Sequence, residues 1–477
     1  MFMRLVYDEK LAQAAYLIGC QKTGEAIVID PERDVDRYIE LAREHGLRVT
    51  AVAETHIHAD FVSGAREMGE RTGATVYVSG EGGDEWSSQW LDQKLGGGSY
   101  AHRVLRDGDT FRVGNIELRA VHTPGHTPEH LSYLVTDLGA GASEPIGMAT
   151  GDFVFVGDLG RPDLLESAAG QSGAMEPSAR RLFATVRKLE SVPDFVQVWP
   201  GHGAGSACGK ALGGVPTSTM GYERRFNPAI RAAGDERGFV AFILSGQPEP
   251  PLYFATMKRV NKEGPRVLGG LPDTRELTSA ELGALDTGSV ALLDTREWAS
   301  FRDGHVPGAL SMPLSRSFNT DAGSLVRADE AIVLVVEASR LEEAVRDLVR
   351  IGLDRIEGWC PPEAVAGYAE AGGRLAQIEE VGVETAAGMV EGGVRVLDVR
   401  RKTEHDASRI AGSTNIAHTR LADRMDEVPL GDGVLLVHCQ GGVRSARASA
   451  YLQRMGRRVV NLQGGFGAWA KSQPVER

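Results

Sequence analysis

Two stretches of this 477-residue chain repeat one another, and a repeat of that size confines the second half of the molecule to two copies of one small fold. LLDTREWASFRDGHVPGAL (292–310) matches VLDVRRKTEHDASRIAGST (396–414) at an offset of 396 − 292 = 104, and the same offset lays Gly352 on Gly456. In each copy an apolar strand leads to Asp-x-Arg, then come a turn, a second buried strand (IVLVV at 332–336, VLLVH at 434–438), a helix and another strand. That order describes a doubly wound α/β unit of about 100 residues. The copies are expected over 269–376 and 377–477.

Before the repeat, short β-rich runs (AIVID at 26–30, VTAVAE at 49–54, TVYVSG at 75–80) alternate with helical stretches such as VDRYIELAREHG at 35–46, a layered α/β pattern. The proline-rich segment 247–272 closes this region, so a first domain is expected over 1–268. Lys and Arg number 52 against 65 Asp and Glu, and the net charge of −13 repels a phosphate backbone, which excludes nucleic acid as a partner. No apolar run reaches the roughly 18 residues of a membrane span, and charges at Asp8, Glu9 and Lys10 interrupt any signal-like start. No membrane association is expected, and a cytoplasmic location is. Four scattered cysteines, Cys20, Cys208, Cys360 and Cys439, make thiols rather than a disulfide framework.

The densest chemical signal is Thr55-His56-Ile57-His58-Ala59-Asp60, directly after VTAVAE. His122 and His126 (VHTPGH), Asp152 (TGDF) and His202 (PGHG) likewise follow apolar runs. A lone histidine is ordinarily a hydrogen-bonded surface residue, but polar ligands at successive strand ends converge on the carboxyl edge of a sheet, where ligand sites form. Three histidines (His56, His58, His126) would suit zinc and a hydrolytic water. Two histidines with Asp152 would form a 2-His-1-carboxylate face that suits Fe(II) and leaves open positions. Spacing alone leaves both readings open.

These residues resemble the metallo-β-lactamase fold over about residues 1–255, which implies an N-terminal αββα architecture. The last histidine of that family's T-H-x-H-x-D-H motif is Phe61 here, and a phenyl ring has no lone pair for a second metal, which disfavours a two-zinc hydrolase. TGD followed by Gly160-Arg161-Pro162-Asp163 is similar to the persulfide dioxygenase branch. That resemblance implies one Fe(II) per chain on His56, His126 and Asp152, with His58, Asp60, His122 and His202 hydrogen-bonding ligands or a bound water. Under the same reading Arg161 meets a carboxylate or thiolate of the substrate, and Cys208 comes near the metal. For Cys20, burial is the expectation.

In the last copy, Cys439-Gln440-Gly441-Gly442-Val443-Arg444-Ser445 lies between VLLVH and the helical ARASAYLQRMG. Glycines there let amide N–H groups turn toward a thiolate, which the helix N-terminus and Arg444 would also stabilise. The loop, with LDVR (397–400), RIAGSTNI (409–416) and NLQGGFGAW (461–469), resembles rhodanese, which implies a persulfide-carrying Cys439. Arg409 and Ala411 depart from the usual G-H-I-P-G-A, away from the thiol loop. The middle copy keeps DTRE and GHVPGAL but has Glu337-Ala338-Ser339-Arg340-Leu341 where the thiol loop would be, so it is expected to be silent, with Cys360 unable to substitute.

The whole layout is similar to the CstB-like fusion family of persulfide dioxygenase with two rhodanese-like domains. It implies oxidation of a low-molecular-weight persulfide (of the glutathione, coenzyme A or bacillithiol type) by O₂ to sulfite, and sulfur transfer through Cys439 to sulfite to give thiosulfate. No nucleotide or organic cofactor is expected, and a homo-oligomer is, as in much of the superfamily. A zinc-dependent glyoxalase II-like thioester hydrolase and a non-enzymatic sulfur carrier or sensor stand as the rival readings.

Overall fold

In the computed structural model the strand Gln13–Cys20 is buried at every position, as a strand covered on both faces must be. The structure describes all residues except 168–172, 248 and 430–432. The chain divides into two compact units, Met1–Leu271 and Pro272–Arg477.

The first unit holds two six-stranded sheets. One runs Phe2–Asp8, Gln13–Cys20, Glu25–Ile29, Arg48–Ala53, Thr75–Ser79 and His102–Leu105, the other Ser218–Thr219, Gln197–Pro200, Gly147–Gly151, Leu131–Asp137, Ile116–His122 and Thr110–Val113. Period-two alternation sorts the side chains. Tyr16, Ile18 and Ile29 face inward and pack on Leu118, Tyr133 and Trp199 of the second sheet. Ala15, Leu17 and Val28 face outward onto Tyr38 and Ala42 of the helix Asp36–Glu44 and Met68 of the helix Ala65–Thr72. The outer face of the second sheet is covered by Leu182 and Phe183 of Met175–Val186 and Phe239 and Ile243 of Glu236–Leu244. Helix, sheet, sheet, helix is the layering expected from the motifs. The proline-rich stretch also carries a helix, Tyr253–Glu263, whose Asn261 donates to the carbonyls of His58 (2.8 Å) and Phe61 (2.7 Å).

The second unit contains two five-stranded, all-parallel sheets of identical strand order. The first is Arg275–Glu276, Ile356–Cys360, Ala331–Val335, Val290–Asp294, Leu310–Ser311, and the second Glu379–Val381, Val459–Leu462, Leu435–His438, Arg395–Asp398, Thr414–Asn415. The repeat offset carries Ala331 onto Leu435 (331 + 104 = 435), both first residues of a central strand. Each Asp-x-Arg closes on itself at a strand end: Arg296 grips Asp294 and the Gly304 carbonyl, Arg400 grips Asp398 and the Ser408 carbonyl. Among the described residues no helix is long and apolar enough to cross a membrane.

Candidate metal centre and thiol loop

His56, His58 and Asp60 lie on the loop that leaves the strand Arg48–Ala53, and Asp152 follows the strand Gly147–Gly151. With Asp30, His126 and His202, which follow the strands Glu25–Ile29, Ile116–His122 and Gln197–Pro200, they form three clusters, each with ligand atoms within 4.8 Å of one another: His56 with His126 and Asp152, Asp60 with His202 and Cys208, and His58 with Asp30 and Glu54.

The first cluster has the chemistry of a metal site. Thr55 Oγ1 donates to Asp30 Oδ2 (2.8 Å), so its contact with His56 Nδ1 (2.9 Å) is one in which the ring donates, and His56 Nε2 keeps its lone pair. His126 Nδ1 faces the Arg161 carbonyl at 3.0 Å, which fixes the same tautomer there. Burial lowers the pKa of both rings, and the neighbouring His58 adds to this at His56, so both are neutral imidazoles. Asp152 Oδ2 lies 4.0 Å from His56 Nε2 and 3.4 Å from His126 Nε2, separations that metal–ligand bonds of roughly 2.0–2.2 Å can span. Neither Asp152 oxygen has a hydrogen-bond partner although the residue is 1% exposed. A buried carboxylate left unsatisfied in this way needs a cation. Glycine builds its seat: a Cβ on Gly160 would fall 1.7 Å from the Asp152 carbonyl oxygen, and one on Gly201 2.7 Å from Oδ1. The Asp152 amide donates to His130 Nε2 at 3.0 Å, and His130 Nδ1 is paired with Thr123 Oγ1 at 2.8 Å. The residues present therefore fit a single divalent metal.

His58 is placed differently. Burial alone would depress it, but Asp30 at 3.1 Å and Glu54 at 3.2 Å hold its pKa well above the usual histidine range, and a protonated ring cannot ligate. The Phe61 ring, fully buried, lies 4.3 Å from the His58 ring. His202 is 3.1 Å from Asp60 Oδ2 and 3.5 Å from Asp152 Oδ1, with Nδ1 at the Ala12 carbonyl (3.1 Å). Cys208 joins that pair, its thiol pushed up to about 12 by burial and by Asp60 and Asp152.

Two expectations for the first unit need correcting. Arg161 does not face a substrate: it is 1% exposed, its guanidinium forks onto Asp163 (2.8 and 2.6 Å) and its third nitrogen reaches the Ala207 carbonyl (2.9 Å), so it clamps the loop whose carbonyl orients His126. His122 stands outside all three clusters, with Nε2 on the Pro128 carbonyl at 2.8 Å. Asp30, Glu54 and His130 are parts of the site that the motifs do not name. Asp30 carries one signal of its own, a left-handed backbone (φ 51°) held by the Thr55 amide at 2.6 Å.

Cys439 is 1% exposed and sits between the strand Leu435–His438 and the helix Val443–Arg454. The Gly442 amide donates to its Sγ at 3.1 Å, and Gly442 needs its φ of 102° to turn that amide inward. Ser445 Oγ donates to the Gly442 carbonyl, Gln440 Oε1 accepts from Arg400 at 3.3 Å, and Gly441 and Val443 are exposed. The second glycine loop supports the first: the amides of Phe466 and Gly467 donate to the carbonyls of Cys439 (2.7 Å) and Gln440 (2.9 Å). Arg444 departs from its expected use, because Glu404 takes its fork at 2.7 and 2.8 Å and neutralises much of its charge beside the thiol. Cys360 ends a strand of the middle copy, buried, its thiol pushed up to about 12 by burial and by Asp294. Cys20 is buried too.

Comparison with known proteins agrees with this geometry. The metallo-beta-lactamase superfamily model matches residues 9–202, and the rhodanese-like domain model matches 280–356 and 383–472. A crystal structure of a metallo-beta-lactamase from Staphylococcus aureus is 40% identical, covering 76% of this chain and 99% of that one with a TM-score of 0.67. A probable metallo-hydrolase of Burkholderia pseudomallei is 31% identical over 49% of this chain and 82% of its own length. The mitochondrial persulfide dioxygenase ETHE1 of Bos taurus is 26% identical over 50% of this chain and 78% of its own. The chain belongs to the metallo-beta-lactamase superfamily, carries rhodanese-like domains in the same polypeptide, and counts a persulfide dioxygenase among its relatives.

Proposed function

We propose that the first unit is a non-heme Fe(II) persulfide dioxygenase and that Cys439 passes sulfane sulfur to the sulfite it makes, so that persulfide leaves as thiosulfate. The observation that carries this reading is the Asp152 carboxylate, buried without a hydrogen-bond partner and facing two imidazoles whose tautomers leave Nε2 free. His56, His126 and Asp152 would hold the metal, and ferrous iron there would supply the redox chemistry that activates O₂ toward the outer sulfur of RSSH. Phe61 keeps a further imidazole out, and His58 stays bound to Asp30 and Glu54 rather than competing as a ligand. Asp60 holds His202 against Asp152, and Arg161 fixes the loop behind His126. The overall change is RSSH, O₂ and H₂O to RSH, sulfite and two protons. At the second site the Cys439 thiolate, facing the Gly442 amide, takes the outer sulfur of another RSSH with release of RSH, and sulfite then takes that sulfur and frees the thiolate. The kinship with a persulfide dioxygenase supports the chemistry; kinship with a probable metallo-hydrolase keeps the zinc thioester hydrolase as the competing outcome.

Anaerobic metal analysis followed by O₂-electrode assays with synthetic persulfides tests it. About one iron per chain is expected, with O₂ uptake, thiosulfate from the intact protein and accumulating sulfite in Cys439→Ser. Zinc with thioester hydrolysis and no O₂ uptake would establish the hydrolase. Unchanged product formation in His56→Ala would leave only a sulfur carrier.

A further inference from the structure

We infer that the thiol-less middle domain sets the geometry of the Cys439 loop, and that Asp321 is the positioning residue through which it acts. The inference rests on Cys439 being the sulfur-carrying group. The helix Val443–Arg454, whose first turn carries the Gly442 amide to Sγ, packs against Leu310–Ser311, the edge strand of the middle domain's sheet. One turn into that helix, Arg447 is 5% exposed and its Nε reaches Asp321 Oδ2 at 3.4 Å. Among the described residues this is the ion pair seen for Arg447. Asp321 is itself buried on the middle domain's helix Phe318–Leu325, and its other oxygen lies 3.2 Å from His418 Nε2. His418 in turn donates its amide to the Val399 carbonyl, at the strand end beside the thiol loop. One carboxylate therefore ties the helix that follows the Cys439 loop to the His418 turn, which is bonded at the end of the neighbouring strand.

The same helix face is held again two turns later. Arg454 pairs with Glu330 and reaches the carbonyls of Thr287 and Val290 at 3.2 and 3.3 Å, and Gln453 Oε1 accepts from His305 Nε2 at 2.8 Å. Residues 447 and 454 are seven apart, so both fall on one face. A domain that merely spaced its neighbours would not need buried ions across the contact, because an unpaired buried guanidinium is strongly unfavourable. Removing Asp321 leaves Arg447 in that state, and the helix must shift to hydrate it. The shift passes directly into the first turn, where the Gly442 amide meets the sulfur.

The test uses the full chain with Asp321→Asn and Asp321→Glu. Sulfur transfer from thiosulfate to cyanide is measured alongside the pH dependence of Cys439 alkylation by iodoacetamide. Arg444 faces the thiol and is held by Glu404, Arg400 is held by Asp398 and reaches Gln440, and His438 faces the Cys439 carbonyl; all are unchanged in these variants. Asp321→Asn is expected to lower kcat/KM for transfer roughly 2- to 30-fold and to move the alkylation midpoint, Asp321→Glu to recover part of both, and O₂ uptake to stay at the parent level. A lower rate with an unmoved midpoint means lost folded protein only and overturns the inference, as does an unchanged rate. Cys439→Ser separates the two readings: transfer surviving in it removes the role of Cys439, whereas transfer lost in it but intact in Asp321→Asn removes the role of Asp321 alone.

Discussion

Glu129 lies 1% exposed beside the loop of His56 and His58, one carboxylate oxygen accepting the Ile57 amide at 2.8 Å and the other without a hydrogen-bond partner. Burial pushes its pKa up to about 7 from the model-peptide value of 4.5, against the pull of the Ile57 amide. Its folded form thus holds the proton more tightly than its unfolded form. Between about pH 4.5 and 7 the unfolded chain ionises this group while the folded one does not, so folding stability falls as pH rises through that window. Glu129→Gln removes the effect. Relative to the parent, the variant should gain stability from pH 4.5 to 7, by ~3 kcal/mol at most at about 1.4 kcal/mol per pKa unit, read from the unfolding midpoint of the first unit at several pH values. Parallel pH profiles for the two proteins would refute it. At this scale the sequence is informative where a residue follows its own strand: His56, His126, Asp152 and His202 are all visible that way. Asp30 and Glu54 are not, because they meet His58 only after Ile29 pairs with Ala53 across two parallel strands. Arg161 misleads for the opposite reason, its partner Asp163 being two residues away in a motif that also suits a substrate contact.

Among the elements, the two glycine-rich loops of the last domain form one structure. Gly465 has φ 58°, and a Cβ there would stand 2.4 Å from the Cys439 carbonyl oxygen and 2.9 Å from the Gln440 carbonyl carbon. Both contacts are backbone, so nothing flexible can give way. Alanine adds left-handed strain of roughly 1 kcal/mol to a clash that must displace the thiol loop. Gly465→Ala is therefore expected to cut sulfur transfer by at least about tenfold, the effect of ~1.4 kcal/mol at the transition state, with metal content and O₂ uptake of the first unit unchanged; retention of full transfer would show that the loop tolerates the shift. The offset of 104 puts Pro361 opposite Gly465 (361 + 104 = 465), and proline has neither the positive φ nor the amide. The middle copy has therefore lost the supporting loop as well as the cysteine. The glycine loops and the silent copy are legible in the sequence. Which glycine bears the strain is not, since it depends on how closely one loop approaches the other's carbonyls.

On the scale of the whole molecule, the sequence reading separates three segments, whereas the structure gathers Pro272–Arg477 into one unit. The bonds responsible join residues far apart in the chain: Asp321 to Arg447, Glu380 to Arg302 (2.8 Å) and to Trp298 Nε1 (2.8 Å), and Arg454 to Glu330. No local pattern announces such pairs, because each partner alone looks like an ordinary surface charge. These contacts make the two rhodanese-like domains interdependent, since separating them breaks every pair and strips the helix Val443–Arg454 of the strand it packs on. A fragment spanning 272–477 should then unfold in one cooperative transition, while 377–477 alone should melt at least about 4–8 °C lower, the shift that 1 kcal/mol produces in a domain of that size. Calorimetry of both fragments decides the matter: equal midpoints, or two separate transitions in 272–477, would show that the buried pairs add nothing to stability and that the middle domain is only a tether.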